Sequence, residues 1–396
     1  MSLVSLVVAV AFSLTVQTVE TKAAWGDFDT SFGFQGVTVD TVTGHIPYDT
    51  AIQPDGKILV SGYKISILGG KAFFLRRYLS NGQLDTTFGK NGAATNSEAM
   101  LRLADYRGDK IVVQANGKIA VAGGANGEYA VWQFHSNGRS DTTFGQNGLQ
   151  ILTGYPIIDS TYPDLNIQNG KLLLSVRKQI GNMSRITLLR LNSNGTFDGT
   201  FGTFGESLTD IQPSNFGSGT VIETDGKITV GGFKPDNILT AKLERKLANG
   251  QTDLSFSPTP APWSGSILEK GLVKLANGKY IMRLGNVASS ASITINLDKF
   301  SSTGVYESNH TLDSRFATDN CPDIFANQND GKFLIQFAGA IYRLNTDLDF
   351  GTMQTNFCSN LNGIGNFAHA SIQPDDKMIV VGTASNNLIL ARLLPN

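Results

Sequence analysis

The chain alternates short apolar runs with polar turns. In AIQPDGKILVSG, residues 51–62, apolar positions alternate with polar or small neighbours on both sides of a turn, which is typical of half-buried strands. Asp55-Gly56 predicts a type I′ hairpin turn, which needs positive φ at both central positions. Helical periodicity is nearly absent, with Glu98–Tyr106 as a weak candidate. The pattern therefore predicts an all-β fold.

The same turn recurs at a regular pitch, with about 53 residues between successive copies of its lysine. The first copy lacks the GxxxxGK(S/T) pattern of a phosphate-binding loop that opens a helix. A catalytic lysine is needed once, so a repeated lysine favours a structural role with its ammonium group in water. The seven lysines are Lys57, Lys118, Lys171, Lys227, Lys279, Lys332 and Lys377.

A second motif, Asp-x-x-Phe, accompanies the turns, and its first four copies continue with glycine. We interpret this box as structural, because aspartate bonds backbone amides in turns, phenylalanine can pack between repeat units and glycine tolerates positive φ. The seven copies are Asp29–Phe32, Asp85–Phe88, Asp141–Phe144, Asp198–Phe201, Asp253–Phe256, Asp313–Phe316 and Asp347–Phe350.

The alternation of QPDGKI-type hairpins with DTTFGxxG boxes resembles the delta-60 repeat family over about residues 26–394. The resemblance implies a β-propeller and brings no catalytic residues that could be transferred to this chain. The residues themselves indicate the same architecture, because each unit contains four strand-like runs, which is propeller spacing. In the first unit these runs lie near Val37–Asp40, Asp49–Gln53, Lys57–Gly62 and Phe73–Leu79.

Seven units predict a single seven-bladed β-propeller of four-stranded antiparallel blades over residues 25–396. The first box precedes the first hairpin, and the last unit has no box after it. We therefore expect the N-terminal segment to complete the last blade and close the ring, which hides both open sheet edges.

An apolar run, Leu3–Val16, lies near the N-terminus. It suits the core of a secretory signal and is short for a membrane-spanning helix, although no lysine or arginine precedes it. We expect residues 1–24 to be a signal segment and the protein to be secreted or at the cell surface. The alternatives are a buried strand or a misplaced start codon, which would leave the protein in the cytoplasm.

The two cysteines, Cys321 and Cys358, cannot alone form a disulfide framework or a four-ligand zinc site. They fall in corresponding segments of units six and seven, which predicts a disulfide between the last two blades. Asn-x-Ser/Thr triplets at Asn182, Asn194 and Asn309 are candidate N-glycosylation sites.

Charge and motifs exclude several classes of function. The formal net charge of −1 gives no long-range attraction to nucleic acid or to an anionic membrane. The four histidines are scattered without metal-ligand spacing, and neither an EF-hand run nor a GxSxG elbow occurs. We therefore predict no metal and no cofactor.

Strand order separates the two faces of the ring. The lysine turns and the boxes lie on one face, here named the turn face, and the connections that differ in length lie on the opposite face, here named the variable face. Repeat proteins usually place their binding residues on the face with the varied segments. These segments are 41–48, 96–108, 154–163, 208–218 and 260–268 in one series, and 64–72, 177–185, 233–238 and 285–292 in the other.

Aromatic and charged residues in and near these segments suit a sugar or a protein partner. The candidate ligand-binding residues are His45, Tyr48, Tyr106, Arg107, Tyr155, Tyr162, Arg177, Trp263 and His369.

Two functions follow. The first is a secreted non-catalytic module that binds a glycan or an extracellular protein, or assembles with copies of itself. The alternative is a glycan-directed hydrolase or lyase at the channel mouth, which would need two carboxylates, or a histidine and a carboxylate, to converge on the variable face.

Overall fold

The computed structural model describes residues 26–65, 69–94, 105–158, 161–212, 219–235, 239–261, 271–289, 292–314, 325–337, 340–345 and 364–395. Over these ranges the chain forms strands and turns, and none of them holds a helix long and apolar enough to cross a membrane. The weak helical candidate at 98–106 lies mostly outside them, and its last residue begins a strand.

The strands form seven antiparallel sheets, which are the blades of a propeller, and this confirms the predicted fold. The first strands of successive blades contact one another and so line the central channel. Blades 4 and 6 show three strands each within the described ranges. The strands are β1 (Val37–Thr43); in blade 1, β2 (His45–Ile52), β3 (Ile58–Ile65), β4 (Lys71–Tyr78) and β5 (Ala93–Ala94); in blade 2, β6 (Tyr106–Val113), β7 (Ile119–Ala125), β8 (Glu128–Phe134) and β9 (Leu149–Pro156); in blade 3, β10 (Asp164–Gln168), β11 (Lys171–Ile180), β12 (Met183–Leu191) and β13 (Glu206–Leu208); in blade 4, β14 (Gly219–Ile222), β15 (Ile228–Pro235) and β16 (Leu239–Lys246); in blade 5, β17 (Leu272–Lys274), β18 (Tyr280–Ser289), β19 (Ser292–Phe300) and β20 (Tyr306–Ser314); in blade 6, β21 (Phe325–Asn327), β22 (Phe333–Phe337) and β23 (Ala340–Leu344); in blade 7, β24 (Asn366–Ile372), β25 (Met378–Ala384) and β26 (Asn387–Leu393).

The N-terminal strand closes the ring. β1 pairs antiparallel with β26, with Val37 opposite Ala391, and so forms the outermost strand of blade 7. Val37–Asp40 is therefore not the first strand of blade 1, as the four-run unit predicted; that strand is β2. The lysine turn joins the first and second strands of a blade and the box joins the third and fourth, so both still lie on the turn face.

The predicted type I′ geometry is wrong for the first turn. Gly56 has φ +79° and donates its amide to Gln53, whereas Asp55 does not have positive φ. A turn followed by one left-handed residue uses one more residue than a type I′ turn. In blade 3, both Asn169 and Gly170 have positive φ, which is the type I′ pattern.

The apolar core lies between neighbouring blades. At the interface of blades 1 and 2, Leu59 and Leu75 pack with Phe73 against Trp132. The rings of Phe73 and Trp132 stack with centroids 4.5 Å apart and an interplanar angle of 5°. Further clusters of the same kind join other pairs of adjacent blades, so the ring is stabilised at each such interface.

The box has the predicted structural role. In blade 1 the amide of Thr87 donates to Asp85 at 3.1 Å, and Phe88 is fully buried. Gly89 has φ +53° and donates its amide to the Asn137 carbonyl of the next blade at 2.7 Å. The equivalent interblade bonds are Gly33 to Asn81, Gly145 to Asn194 and Gly202 to Asn249.

An arginine that the sequence reading missed completes the box. Arg77 on β4 donates Nε to Asp85 at 2.9 Å, lies 4.3 Å above the Phe88 ring and also donates to the Ser136 carbonyl of blade 2. This arginine could have been recognised in the sequence, because it lies eight residues before the box aspartate. The other pairs with this spacing are Arg190 with Asp198 and Arg245 with Asp253, while blade 2 has Gln133 with Asp141.

The prediction that the lysine ammonium groups lie in water is wrong for two of the turns. Lys118 donates to Asp141 at 2.6 Å and Lys171 donates to Asp198 at 2.7 Å, because each lysine lies close to the box aspartate of its own blade. Lys57 instead pairs with Asp55 of its own turn.

The last two box copies do not repeat this arrangement within the described ranges. Asp313 lies on strand β20, outside any turn. Phe316 and the copy at 347–350 lie outside the described residues.

Candidate functional site

Two of the variable segments that the structure describes consist mainly of strand ends. Segment 41–48 is covered by β1 and β2, and segment 177–185 is mainly covered by β11 and β12, so the prediction of loops there is wrong. Because the strands extend further than the sequence pattern indicated, several candidate side chains are held inside the sheet.

His45 is one of these buried candidates. It is 7% exposed, its ring lies edge-on to Phe74 at 4.8 Å, and its Nδ1 donates to the Thr43 carbonyl at 3.1 Å. Burial, helped by the charges of Arg76 and Lys64, lowers the pKa of His45 to about 4. His45 is therefore a neutral, structural residue at physiological pH.

Tyr106 and Tyr155 are also buried. The Tyr106 hydroxyl accepts a hydrogen bond from Asn126 at 3.1 Å. The Tyr155 hydroxyl donates to Glu206 of blade 3 at 2.6 Å, and burial together with this carboxylate raises the pKa of Tyr155. Arg177 donates Nε to Ser184 within its own hairpin. These side chains join strands and present little surface to a ligand.

Tyr48, Arg107 and Tyr162 are brought together at the channel mouth. The ring of Tyr48 lies 5.4 Å from that of Tyr162 and 5.6 Å from that of Tyr63. The guanidinium of Arg107 lies 4.9 Å from the Tyr162 ring centroid. All three tyrosines are half-buried. With Asp109, these residues form what we name the mouth cluster.

Hydrogen bonds hold the mouth cluster in place. Arg107 donates Nε to Asp109 at 3.0 Å and Nη2 to the Thr161 carbonyl at 2.9 Å. Burial alone would lower the pKa of Arg107, but the Asp109 carboxylate outweighs it and raises this pKa. Burial and the Tyr162 hydroxyl raise the pKa of Tyr48, which keeps its phenol neutral and able to donate.

Bulges at matching positions place these residues. The register of the first strand shifts at Tyr48 in β2, at Asp109 in β6 and at Ala368 in β24. A bulge bends the strand and redirects its side chains, and bulges are common beside functional sites. Three neighbouring blades thus share one local distortion on the channel wall.

Below the mouth cluster, Asp49 links three blades. This residue is 2% exposed and accepts the Ile111 amide of blade 2 at 2.7 Å. Its other oxygen lies 3.3 Å from Lys110 Nζ and 3.2 Å from Nε2 of His369 on blade 7. The predicted residue His369 therefore faces the channel wall beside a carboxylate.

Asp49 and Lys110 were missed by the sequence reading, although a signal for them exists. In blades 1, 2, 3 and 7 a glutamine opens the lysine turn. The residue four positions before it is Asp49 in blade 1, Lys110 in blade 2, Asp164 in blade 3 and His369 in blade 7. Ionisable residues at one repeated position of a channel-lining strand could have indicated the site.

Trp263, Cys321 and Cys358 lie outside the described residues, so the predicted disulfide remains a prediction. Asn182, Asn194 and Asn309 are exposed, and their glycosylation also remains a prediction. Within the described ranges no group of three or more His, Cys, Asp or Glu side chains could hold a metal ion.

A family model described as "Domain of unknown function (DUF5122) beta-propeller" matches residues 53–88, 114–144, 168–201 and 373–396. Each segment starts at the glutamine of a lysine turn, and together they lie in blades 1, 2, 3 and 7. A comparison with curated proteins found no match.

Solved structures resemble the fold at low identity. The extracellular domain of BT4673 from B. thetaiotaomicron is 14% identical with a TM-score of 0.47, over 91% of this chain and 40% of that one. Drosophila Semaphorin 1a, extracellular domains 1-2, is 8% identical with a TM-score of 0.45, over 90% and 87%. XC5397 from Xanthomonas campestris, a gluconolactonase, is 12% identical with a TM-score of 0.35, over 71% and 83%. The chain spans less than half the length of the BT4673 chain. The four matched segments support a β-propeller-type repeat family for this chain.

Proposed function

We propose that the protein is a secreted, non-catalytic β-propeller of the delta-60 repeat type that binds a glycan on its variable face. The observation that carries this proposal is the mouth cluster, in which the half-buried rings of Tyr63 and Tyr162 lie 5.6 Å and 5.4 Å from the half-buried ring of Tyr48. Ring faces pack against the C–H faces of sugars, and phenol and guanidinium groups can bond sugar hydroxyls.

The side chains of the mouth cluster are already ordered by contacts with one another, which supports ligand binding. Arg107 is bonded to Asp109 and Thr161, and it also packs against Tyr162. Side chains that are already ordered lose little conformational entropy when a ligand arrives. An extracellular protein or a second copy of this chain would cover a wider area, about 800 Å² on each partner.

A glycan array probed with the purified mature protein, with and without calcium, tests the proposal. We expect a defined hit that weakens about 10- to 100-fold in Tyr48→Ala and Tyr162→Ala, because aromatic residues dominate binding energy where they are buried by ligand. Tyr342→Ala is the matched control, since Tyr342 is also half-buried but lies in blade 6.

An array without hits in both conditions would overturn the glycan proposal and favour a protein partner or self-assembly. Sizing of the protein at several concentrations would then separate those two. Hits that persist in both tyrosine variants would remove the mouth cluster from the binding surface.

One observation favours a second candidate, a glycan-directed hydrolase or lyase. His369 and Asp49 converge on the channel wall at 3.2 Å, with Lys110 beside them. A histidine and a carboxylate can share proton transfer. Release of reducing ends from polysaccharides, lost in His369→Gln but kept in His135→Gln, would establish this activity; equal turnover by both variants would exclude His369.

A further inference from the structure

A pocket of about 210 Å³ opens beside the mouth cluster on blade 2. Asp105 lies directly before β6 and Arg107 lies near its start, Gly124 comes from β7, and Gly127 lies in the following turn. Ile157 follows β9 and completes the lining. Pockets for drug-sized ligands are about 300–1,000 Å³, so this one suits a single small ring.

The walls of the pocket are polar. The side chain of Asp105 is 58% exposed, and its oxygen lies 3.6 Å from Lys71 Nζ, too far for a hydrogen bond. Its carboxylate can therefore accept from a ligand. On the other side lies Arg107, whose guanidinium is fixed by Asp109 and Thr161.

The floor of the pocket is apolar and depends on a glycine. A Cβ at Gly124 would lie 2.7 Å from Cδ1 of Ile157 and 3.6 Å from Cγ of Arg107. The backbone of Gly124 does not have positive φ, but the end of the Ile157 side chain packs directly over this glycine. Alanine at this position would displace Ile157, a lining residue, and so change the shape of the floor.

The charges around the pocket balance. Lys71 pairs with Asp105, and Arg107 pairs with Asp109, so the two cations are matched by two anions. Neither a uronic acid nor an amino sugar gains net attraction from such walls. A neutral sugar offers hydroxyl donors to Asp105, hydroxyl acceptors to Arg107 and a C–H face to Ile157.

We propose that this pocket binds one neutral pyranose residue of the glycan, an inference that rests on the proposed glycan-binding function. The pocket and the mouth cluster are continuous, because Arg107 packs on Tyr162 and Lys71 lies 5.0 Å from the Tyr63 ring centroid. A sugar chain that leaves the pocket would therefore run onto the tyrosines.

Saturation-transfer NMR with the full chain tests this site. The probes are the methyl glycosides of glucose, galactose and mannose, together with glucuronate and glucosamine. We expect at least one neutral glycoside to bind, Gly124→Ala to abolish its signal and Asp105→Asn to weaken it about tenfold, since hydrogen bonds to charged groups are the stronger ones. Gly199→Ala and Asp210→Asn are the matched controls, because an added Cβ at Gly199 meets nothing within 4 Å and Asp210 is an exposed aspartate paired with Arg185.

The results separate this proposal from the one on which it rests. Array hits that survive Gly124→Ala and Asp105→Asn, but not Tyr48→Ala, would refute the pocket and leave glycan binding intact. Binding of glucuronate or glucosamine in preference to every neutral glycoside would also overturn it. If no neutral glycoside binds the wild type, the pocket is not a pyranose site.

Discussion

On the turn face, an arginine binds the box aspartate in blades 1, 3, 4 and 7, whereas near the channel mouth the pair of Arg107 with Asp109 belongs to blade 2. Arg77 with Asp85 has counterparts around the ring. Arg107 with Asp109, and Lys110 with Asp49, lie where bulges distort the first strands of blades 1 and 2. A contact that several blades repeat stabilises the ring, and a contact particular to one blade is where a ligand site can arise.

In blade 2 the box aspartate is paired with a cation although the arginine is missing. Gln133 stands at the position of the arginine and donates to Asp141, and Lys118 also donates to Asp141 at 2.6 Å. The partner changes but the buried aspartate still receives a cation, because an unpaired buried carboxylate is costly.

The largest expected effect comes from removing a turn-face arginine. Arg77→Met keeps the apolar stem over Phe88 but leaves Asp85 buried without a cation, so we expect a loss of about 3–5 kcal/mol in the free energy of unfolding. Urea denaturation followed by circular dichroism measures it.

Arg185→Met is the control on the variable face. Arg185 pairs with Asp210 at 3.0 Å in an exposed position, where such pairs contribute about 0–1 kcal/mol. Equal losses of unfolding free energy in Arg77→Met and Arg185→Met would show that the arginine pairs of the two faces contribute equally to stability.

A smaller effect concerns the variable-face end of β2. The pKa of His45 is about 4 in the fold, below its ordinary value of 6.5, so folding favours the neutral ring. This contribution, about 3 kcal/mol, is complete above pH 6.5 and is lost as the pH falls from 6.5 to 4.

Denaturation of the wild type and of His45→Gln at several pH values measures the difference. The gap between the two curves should shrink below pH 6.5. A gap that stays constant down to pH 4 would show that His45 does not titrate with unfolding.

The smallest of these effects belongs to the turn face at lower pH. Burial raises the pKa of Asp29, but hydrogen bonds from Ser31 and the charges of Lys377 and Arg392 outweigh it and lower the pKa to about 2. Because the folded pKa lies below the ordinary 3.8, the contribution of about 2 kcal/mol is complete above pH 3.8 and is lost as the pH falls to 2.

Asp29→Asn should therefore be less stable than the wild type at pH 5 and approach it near pH 2. The two faces would then lose stability in separate pH ranges, His45 first and Asp29 later. A difference that does not change between pH 5 and pH 2 would contradict the lowered pKa.

Much of the fold could be predicted from repetition. Seven lysine turns and the box motif predicted the number of blades, and the unpaired first box predicted that β1 completes blade 7. Where a blade begins could not be predicted, because a repeat has a period but no marked start. The partner of Lys118 was also missed, since the sequence does not show which aspartate lies beside it in space.

The site was harder to predict than the fold. The reading by segment named Tyr48, Arg107 and Tyr162, which the fold brings together, and their role in binding stays a prediction. It misplaced His45, Tyr106 and Tyr155 as surface residues, since their burial depends on strands from other parts of the chain. Asp49 was missed because a carboxylate in an alternating strand resembles an ordinary outward position.

Ring closure has a consequence for how the chain folds during synthesis. Arg392 binds Asp29 across 363 positions of sequence, so blade 7 cannot form until all seven repeat units have been made. Contacts between residues so far apart in sequence form slowly, and strand edges that are not yet paired favour aggregation until the contacts form. A ribosome stalled before residue 387 would leave β1 unpaired, because its partner β26 would not yet exist, and pairing of β26 with β1 is the step that closes the ring.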